Sequence, residues 1–518
     1  SNMKEVKKIR KQIVLLILTL LLIALTLNAA SAAEIFDNTT TQLSNNSSTI
    51  NTTTSAIKCP STVVISGEVK QCSNGDPFPG VNVTVSKDGN ELASTTTNEN
   101  GTYYLNFLSN ATVFNVTASY TGHNPDTKEV TVTPGENNTN YASADLKLGT
   151  LLGEVFVDPV KGKDTNSGKD FNHAVKTIGK ALELVKDTGT IWLADGTYNE
   201  YYLDINKSVS IESFYLDAST VIINGQNHRV FEIDNTDIAK QIQVKFFALT
   251  ISNASYGIIT ATTRYPINID IEFCQFKNND EAIYSFGNTN VYYSTFSNNN
   301  KAIYYGSYSD TLTVNKSTFN SNGIGIDNEG GNPTITNSHF NNNTGSAIIN
   351  NSPSGSVGIM AVNNCTFTGN TATTGGAISN QGLCTVTNCT FINNHATGAN
   401  FNPGGGAISN TRTLTVIDSN FTGNTASYDG AAIWNKFEAT VTGCNFTNNH
   451  CESGAIWNTG KSTFNINNCI FTNNTASAGG ALENYGNMTI NGSTFTGNNA
   501  TGLGGAISNY GTDLRIAN

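Results

Sequence analysis

Carboxylates that could act as an acid–base pair are spread thinly along this 518-residue chain. Cleavage of a glycan needs two converging carboxylates, or a carboxylate-bound cation beside a basic residue. Two close pairs, Asp270 with Glu272 and Asp280 with Glu281, are interpreted as solvated surface. Beyond residue 340 the acidic side chains are isolated from one another: Asp418, Asp429, Glu438, Glu452, Glu483 and Asp513. The sequence therefore predicts no catalytic residues and no enzyme activity.

A polar segment early in the chain carries three further carboxylates, Asp158, Asp164 and Asp170. Such a segment could hold a hard cation, because carboxylate oxygens are the ligands that Ca²⁺ prefers. Ordinary loop polarity explains the same residues without a ligand. We therefore expect neither a metal site nor a cofactor.

Aromatic side chains recur in the position that follows a repeated small-small-Ala-Ile phrase. Trp434 and Trp457 occupy it in successive repeats, and Tyr284 and Tyr304 form a second such pair. If the preceding Ile faces inward, the period-two alternation of a strand turns these rings outward. Exposed rings on adjacent strands are suited to stacking on sugar rings or to a protein partner. The alternative interpretation is that aromatic residues favour sheets and pair across strands.

A repeating unit must position these rings, and its fixed period without helical spacing indicates a solenoid. Each repeat is too small to bury its own apolar face, so successive repeats stack at about 4.8 Å and align Phe, Ile and Asn in columns. The Asn column is expected to form an amide ladder. The repeat begins with a Phe that an Asn follows three residues later: Phe276, Phe296, Phe319, Phe340, Phe367, Phe391, Phe421, Phe446, Phe471 and Phe495.

Cysteines support this register. Five of them precede a Phe of the repeat by two residues: Cys274, Cys365, Cys389, Cys444 and Cys469. Period two turns them to the inside, where free cysteine is a common small filler. A metal or redox site is the alternative. Cys384 and Cys451 lie off this column and are not assigned by it.

Residues 151–189 are expected to begin the solenoid with a strand and a capping helix. Between Phe171 and Asp187, Ala174, Ile178, Ala181, Leu182 and Val185 fall on one helical face. One amphipathic helix is enough to cover the open first coil. The stretch VFVDP…AVKTIGKALELV…GTIWLADGTYNE resembles the N-terminal cap of pectate-lyase-like β-helix proteins, which include enzymes and non-enzymes.

Residues 57–148 predict a small β-sandwich from short alternating strands and turn sequences such as Asn100-Gly101. The order G-E-V, P-x-P-G-V-x-V and T-x-x-x-N-G-x-Y resembles the carboxypeptidase-regulatory-like and collagen-adhesin B-type sandwiches. In that family such modules are mostly stalks or spacers. The fold class implied for the whole chain is all-β, a sandwich followed by a parallel β-helix over residues 151–518.

Residues 1–33 have the pattern of a signal peptide: a basic start after Met3, an apolar run and Ala30-Ser31-Ala32. Ser1 and Asn2 precede this natural start. Residues 34–56 are polar and read as a flexible linker. An exported chain permits N-glycosylation, which we predict best in and around the linker and sandwich, at Asn38, Asn51, Asn82, Asn110, Asn115 and Asn137.

Charged residues are only 13% of the chain and the formal net charge is −11, which disfavours nucleic-acid binding. The alternation of FxxN with GGA(I/L) from Phe276 to Ile507 resembles the repeats of chlamydial polymorphic membrane proteins and of adhesin-like proteins of methanogenic archaea. That resemblance implies a right-handed, single-stranded β-helix displayed outside the cell for adhesion to a glycan or protein on a host or neighbouring cell. No barrel or other membrane or cell-wall anchor is recognised, and residues 513–518 stop within a coil, so we expect a truncated C-terminus. A polysaccharide lyase or hydrolase and a structural envelope or sheath component are the alternatives.

Overall fold

The computed structural model describes residues 60–72, 75–123, 125–236, 238, 240–262, 264–353, 358–398 and 404–517. The predicted signal peptide and linker, with Asn38 and Asn51, lie outside the described residues. Among the described residues, no helix is long and apolar enough to cross a membrane.

The predicted sandwich is present within the described residues and has two sheets. In pairing order, the first contains Thr102–Ser109, Ser61–Gln71, Thr139–Ser143 and Thr133–Pro134, with Leu146–Leu148 parallel to the end of Ser61–Gln71. The second contains Asn90–Thr96, Asn82–Lys87, Val113–Ser119 and Asp126–Thr131. Alternate side chains such as Val83, Val85, Phe114 and Val116 fill the core between the sheets.

Three long parallel sheets follow, and the chain passes through them in rotation. We call them sheets 1, 2 and 3. Sheet 1 contains Leu152–Val157, Val185–Leu193, Val209–Ser213, Ile242–Phe247, Ile267–Glu272, Asn288–Tyr292, Leu312–Asn315, Thr334–Thr336, Ile359–Asn363, Leu383–Thr387, Thr413–Ile417, Glu438–Thr442, Thr463–Asn467, Asn487–Asn491 and Asp513–Ala517. One passage through the three sheets is one coil, and each coil pairs in parallel with the next.

Sheet 2 carries the Phe column, and sheet 3 carries the Ile or Leu of the small-small-Ala-Ile phrase. Sheet 2 contains Gly196–Tyr198, Val221–Asn224, Thr250–Ser252, Gln275–Lys277, Thr295–Ser297, Thr318–Asn320, His339–Asn341, Thr366–Thr368, Thr390–Ile392, Asn420–Thr422, Asn445–Thr447, Ile470–Thr472 and Thr494–Thr496. Sheet 3 contains Leu203–Ile205, Phe231–Ile233, Tyr256–Thr260, Glu281–Ser285, Lys301–Tyr305, Ile324–Glu329, Ile348–Asn351, Ile378–Asn380, Ile408–Asn410, Ile433–Asn435, Ile456–Asn458, Leu482–Asn484 and Ile507–Asn509.

Two short sheets line the turns between sheets 2 and 3. One contains Thr371–Ala372, His395–Ala396 and Thr425–Ala426, and the other contains Thr475–Ala476 and Asn499–Ala500. A small apolar cluster of Ala396, Ala426, Ala431 and Cys451 packs beneath this region. Cys451, which the sequence left unassigned, is therefore a buried thiol of the turn layer.

The capping helix is present but shorter than the predicted Phe171–Asp187. A 3₁₀ turn spans Phe171–His173 and an α-helix spans Ile178–Leu184, where the Thr177 side chain accepts from the Lys180 backbone N–H. Val185 already has extended backbone, because it begins a strand that pairs with the first strand of sheet 1. Strand pairing therefore ends the helix earlier than its apolar periodicity suggests.

The Phe column is confirmed. Adjacent rings stack with centroids 4.6–4.9 Å apart and planes within 8° of parallel. The predicted cysteine column is also buried. Each of its thiols donates to the carbonyl two residues earlier at 3.2–3.3 Å. Serine does the same in other coils, as from Ser419 to the Ile417 carbonyl. Cysteine here is a hydrogen-bonding filler that serine can replace.

The Asn of the FxxN phrase forms the expected amide ladder. From its second member onward, the side-chain Oδ1 accepts from both the backbone N–H and the Nδ2 of the preceding ladder Asn, at 2.8–3.1 Å. The ladder contains Asn279, Asn299, Asn322, Asn343, Asn370, Asn394, Asn424, Asn449, Asn474 and Asn498. The ladder supplies acceptors for backbone N–H groups at a buried turn, where no neighbouring strand pairs with them.

A second amide ladder, which was not predicted, runs along the end of sheet 3. Its Nδ2-to-Oδ1 bonds measure 2.7–2.8 Å. Its members are Asn328, Asn350, Asn380, Asn410, Asn435, Asn458, Asn484 and Asn509. The recurring Asn two residues after the Ile or Leu of sheet 3 is the sequence signal for it.

Replacing one rung of the first ladder should destabilise the coil stack. In Asn394→Ala, the backbone N–H and Nδ2 of Asn370 lose their acceptor in a buried site, so we expect a loss of roughly 2–5 kcal/mol. Urea unfolding followed by circular dichroism measures it. Asn393→Gly is the matched control, because Gly369 and Gly423 occupy the same left-handed position in adjacent coils. Equal unfolding midpoints for the two variants would contradict this role of the ladder.

Candidate functional site

The predicted aromatic position lies on the outer side of sheet 3 in one unbroken register. Neighbouring strands pair these residues in order: Tyr284, Tyr304, Asp327, Ile349, Ser379, Ser409, Trp434, Trp457, Glu483 and Ser508. We call this set the outer column. The column itself is therefore as predicted from the spacing of the repeat.

Exposure along the outer column is lower than predicted. Trp434 is only 7% exposed, so its prediction as a surface ring is wrong, while Trp457 is half-buried. The glycine-rich segment before each strand packs closely against the backbone of that strand. Gly430 has φ +64°, and a Cβ there would lie 2.4 Å from the Ile433 carbonyl oxygen and 3.0 Å from the Trp434 backbone nitrogen. Only glycine allows this close approach.

The two tryptophans nevertheless begin a longer row of rings. Their centroids are 5.9 Å apart with planes 17° from parallel. Trp457 then meets Tyr485 at 5.9 Å, and Tyr485 stacks on Tyr510 at 4.8 Å. Tyr485 is 40% exposed and Tyr510 is 50% exposed. We call these four residues the aromatic strip. Its exposed rings, Tyr485 and Tyr510, lie one and two coils after Trp457, where the sequence predicted the surface ring.

The predicted tyrosine pair is stacked more tightly. Tyr284 and Tyr304 have centroids 4.4 Å apart and planes 7° from parallel, and both are half-buried. Tyr256 packs edge-on against Tyr284 at 5.6 Å, and the Lys301 ammonium lies 4.8 Å from the centroid of Tyr304. Burial raises the pKa of Tyr304 to about 12. Neighbouring side chains therefore cover much of both rings.

Three charged residues from successive coils meet beside these tyrosines. Lys301 Nζ lies 2.7 Å from Asp327 Oδ2, and Glu281 is the strand partner of Lys301. Burial raises the pKa of Glu281, although the charge of Lys301 opposes this. Burial also lowers the pKa of Lys301, but its hydrogen bond with Asp327 outweighs that effect and holds the pKa above its ordinary value. Glu281 Oε2 and Asp327 Oδ1 are buried without a hydrogen-bond partner in the described structure.

This charged group was missed because Glu281 was paired only with its sequence neighbour Asp280. The sequence signal for this group is the distance of one coil along the chain. Glu281 and Lys301 are strand partners one coil apart, and so are Tyr304 and Asp327. The other close pair, Asp270 and Glu272, is held by neighbouring polar side chains, and the Glu272 side chain is only 14% exposed, so it is not the solvated surface that the sequence predicted. Glu272 forms an ion pair with Lys245 at 3.0 Å, and Asp270 accepts from Gln243 and Asn290.

A second carboxylate group lies under the aromatic strip. We call Asp429, Ser453, Trp457, Glu483 and Tyr485 the acidic–aromatic cluster. Asp429 and Ser453 are bridge partners on neighbouring coils, and the Tyr485 hydroxyl donates to Glu483 Oε1 at 3.0 Å. Burial raises the pKa of both carboxyl groups, the nearby Ser453 side chain opposes this, and the charge of Asp429 raises the pKa of Glu483 further.

The loop carboxylates that could hold a cation instead cap backbone amides. Asp158 Oδ1 accepts from Val160 and Lys161, while Asp164 accepts from Lys176 and Thr177. In the described part of the chain, no group of three or more His, Cys, Asp or Glu side chains is arranged to hold a metal ion. Asp158 and Asp164 serve in this structure as hydrogen-bond acceptors for backbone amides of their own loop.

The four predicted glycosylation sites within the described residues, Asn82, Asn110, Asn115 and Asn137, are exposed. Five sequons within the repeats are exposed as well, because their Asn lies outside the buried ladders: Asn364, Asn388, Asn420, Asn445 and Asn473. Glycosylation itself stays a prediction at all these positions.

Family models match parts of the chain. The carboxypeptidase regulatory-like domain matches residues 64–147, and the right-handed β-helix region matches residues 374–516. The solenoid is a right-handed parallel β-helix. The Chlamydia polymorphic membrane protein repeat matches residues 364–381, which supports the predicted type of repeat. No curated protein matches the chain.

Solved structures with similar coordinates include glycan-cleaving enzymes. The family 28 exopolygalacturonase of Yersinia enterocolitica is 12% identical, with 85% of this chain and 94% of that chain covered and a TM-score of 0.36. The GH87 α-1,3-glucanase of Streptomyces thermodiastaticus is 13% identical, with coverages of 89% and 88% and a TM-score of 0.34. A mercury-inhibited catechol 1,2-dioxygenase from Acinetobacter is 14% identical, with 19% of this chain and 56% of that chain covered and a TM-score of 0.15. Likenesses at this level carry no activity over to this chain.

Removing the Lys301 charge should destabilise the β-helix. In Lys301→Met, the nearly buried Asp327 and the half-buried Glu281 lose their counter-charge, so we expect a loss of roughly 3 kcal/mol at neutral pH. The double variant Lys301→Met/Asp327→Asn should recover much of it. Lys316→Met, which removes an exposed ammonium 5.0 Å from the Tyr293 centroid, is the control and should cost less than about 1 kcal/mol. Equal urea midpoints for Lys301→Met and the control would refute the burial argument.

The Glu483 carboxyl should make stability depend on pH in a defined direction. Its folded pKa is raised above 4.5, so its contribution is fully present below that value and is lost as the pH rises through the raised pKa. We expect Glu483→Gln to match the parent protein below pH 4.5 and to be the more stable of the two at neutral pH. Urea midpoints from about pH 4 to about pH 8 test this. Glu438→Gln, at an exposed position, should show no such trend.

Proposed function

We propose that this protein is displayed at the cell surface, where it attaches the cell to a glycan or protein ligand on a host or neighbouring cell. The observation that carries the proposal is the aromatic strip. Its rings pass from the buried Trp434 to the exposed Tyr485 and Tyr510 across neighbouring coils. Amphipathic rings held in a rigid row offer contact area at little entropic cost.

Three further features support surface attachment. The sequence begins with a predicted secretion signal, the sandwich resembles spacer modules, and the matched repeat is named for a polymorphic membrane protein of Chlamydia. The paired coils also form a stiff shaft, because each coil is fixed by the columns on both sides. A stiff shaft is suited to holding a binding surface away from the cell.

A glycan-cleaving enzyme is the second candidate, and the charged group beside the tyrosines favours it. A carboxyl with a raised pKa, as burial gives Glu281, is suited to act as a general acid, and Asp327 would supply the second carboxylate. Against this, Asp327 is 7% exposed and already bound to Lys301. The Asp327 carboxylate is therefore covered and paired with the Lys301 ammonium, so a substrate would not reach a free carboxylate there.

The full chain should be tested on a glycan array, on cells and in a reducing-sugar release assay. We expect binding without sugar release. Tyr485→Ser/Tyr510→Ser should weaken binding by roughly tenfold or more, which corresponds to about 1.4 kcal/mol. Tyr104→Ser/Tyr141→Ser removes two comparably exposed rings from the sandwich and should leave binding unchanged.

Two results would overturn attachment. Sugar release that Glu281→Gln abolishes would establish the enzyme in its place. Absence of both binding and release would leave the structural envelope role.

A further inference from the structure

The acidic–aromatic cluster holds negative charge in a covered site. Glu483 is 5% exposed. Asp429 is half-buried and lies in the coil that precedes the coil of Trp457. In the described part of the chain, neither carboxylate forms an ion pair with lysine or arginine. Buried carboxylates without a counter-charge are costly, and the Glu281 group shows that this fold can supply one. The two carboxylates of the cluster therefore have no basic counter-charge in the described part of the chain.

One carboxylate oxygen of the cluster is buried without a hydrogen-bond partner in the described structure. Glu483 Oε1 accepts from the Tyr485 hydroxyl, whereas Oε2 is covered and has no hydrogen-bond partner among the residues that the structure describes. Tyr485 is 40% exposed, so the carboxyl lies one side chain below the solvent. A cation held against the exposed Tyr485 ring would lie one side chain from this carboxyl group.

The rings around Glu483 define the chemical class of that ligand. Trp457 and Tyr485 meet at an angle of 58° with centroids 5.9 Å apart, which forms an aromatic corner beside the carboxyl group. Aromatic faces attract organic cations and do not ligate metal ions. A protonated amine satisfies both the ring faces and an unpaired carboxylate oxygen.

We propose that the acidic–aromatic cluster binds the free amino group of an amino sugar within a glycan. This rests on the proposed attachment function and names the ligand chemistry of the same strip. A glycan is favoured over a lysine side chain because the rings continue from Trp457 through Tyr485 to Tyr510. A row of that length fits an extended chain of units, whereas a single lysine would use only the corner.

A fully deacetylated chitosan tetramer is the probe, and its fully N-acetylated counterpart is the neutral control of equal length. Trp434 and Trp457 are two of the three tryptophans of the chain, so quenching of intrinsic fluorescence reports binding at the cluster. Calorimetry on the full chain gives the affinities. We expect the deacetylated tetramer to bind at least about tenfold more tightly than the acetylated one.

Glu483→Gln keeps the shape of the side chain and the acceptor for Tyr485 but removes the charge. It should weaken binding of the deacetylated tetramer by roughly tenfold or more. Glu438→Gln removes one carboxylate from an exposed position on sheet 1 and controls for general attraction to a chain of net charge −11. It should leave the affinity unchanged.

Three results would overturn the inference: equal affinity for the two tetramers, equal effects of the two Glu variants, or binding of a lysine peptide but of neither tetramer. Cell binding that persists in Glu483→Gln together with equal tetramer affinities would refute the amino-sugar site alone. Loss of cell binding in Tyr485→Ser/Tyr510→Ser would then still support attachment through the strip.

Discussion

Parallel pairing of each coil with the next, in register, is the constraint on which the rest of this structure depends. It places equivalent residues of successive repeats one strand spacing apart. The Phe rings, the thiols and hydroxyls, and the two Asn ladders then each stack upon themselves. A side chain that stacks well on its own kind is favoured at every level of the shaft, which explains why the repeat is so monotonous.

The same constraint makes departures from the repeat informative. An outer column occupied by serine in several coils becomes tyrosine, aspartate, tryptophan or glutamate in others. The inner columns repeat at every level of the shaft, whereas the outer column varies from coil to coil. The residues that distinguish one coil from its neighbours therefore lie on the outer column of this β-helix, while the inner columns stay the same.

The sequence predicted the inner columns well because period two and the coil repeat determine them without further information. It predicted the register of Trp434 and Trp457 for the same reason, but not the burial of Trp434. That burial depends on what packs against the ring, including Trp457 of the next coil, and the period-two alternation does not determine this. The contact of Lys301 with Asp327 was missed because coil lengths vary, so residues that touch are not a fixed number apart. The helix was overextended because Val185 satisfies both a helical face and a strand, and pairing in the sheet prevails.

The two amide ladders also have a mechanical consequence. Their bonds point from each coil to the next, along the axis of the shaft, and all in the same chain direction. Coils stacked along one axis are in series, so tension along that axis would load every interface between coils at once. Within one interface the rungs and the strand hydrogen bonds share the load in parallel, so two coils part only when these bonds fail together. A shaft pulled along its axis would therefore lose whole coil interfaces and not single rungs.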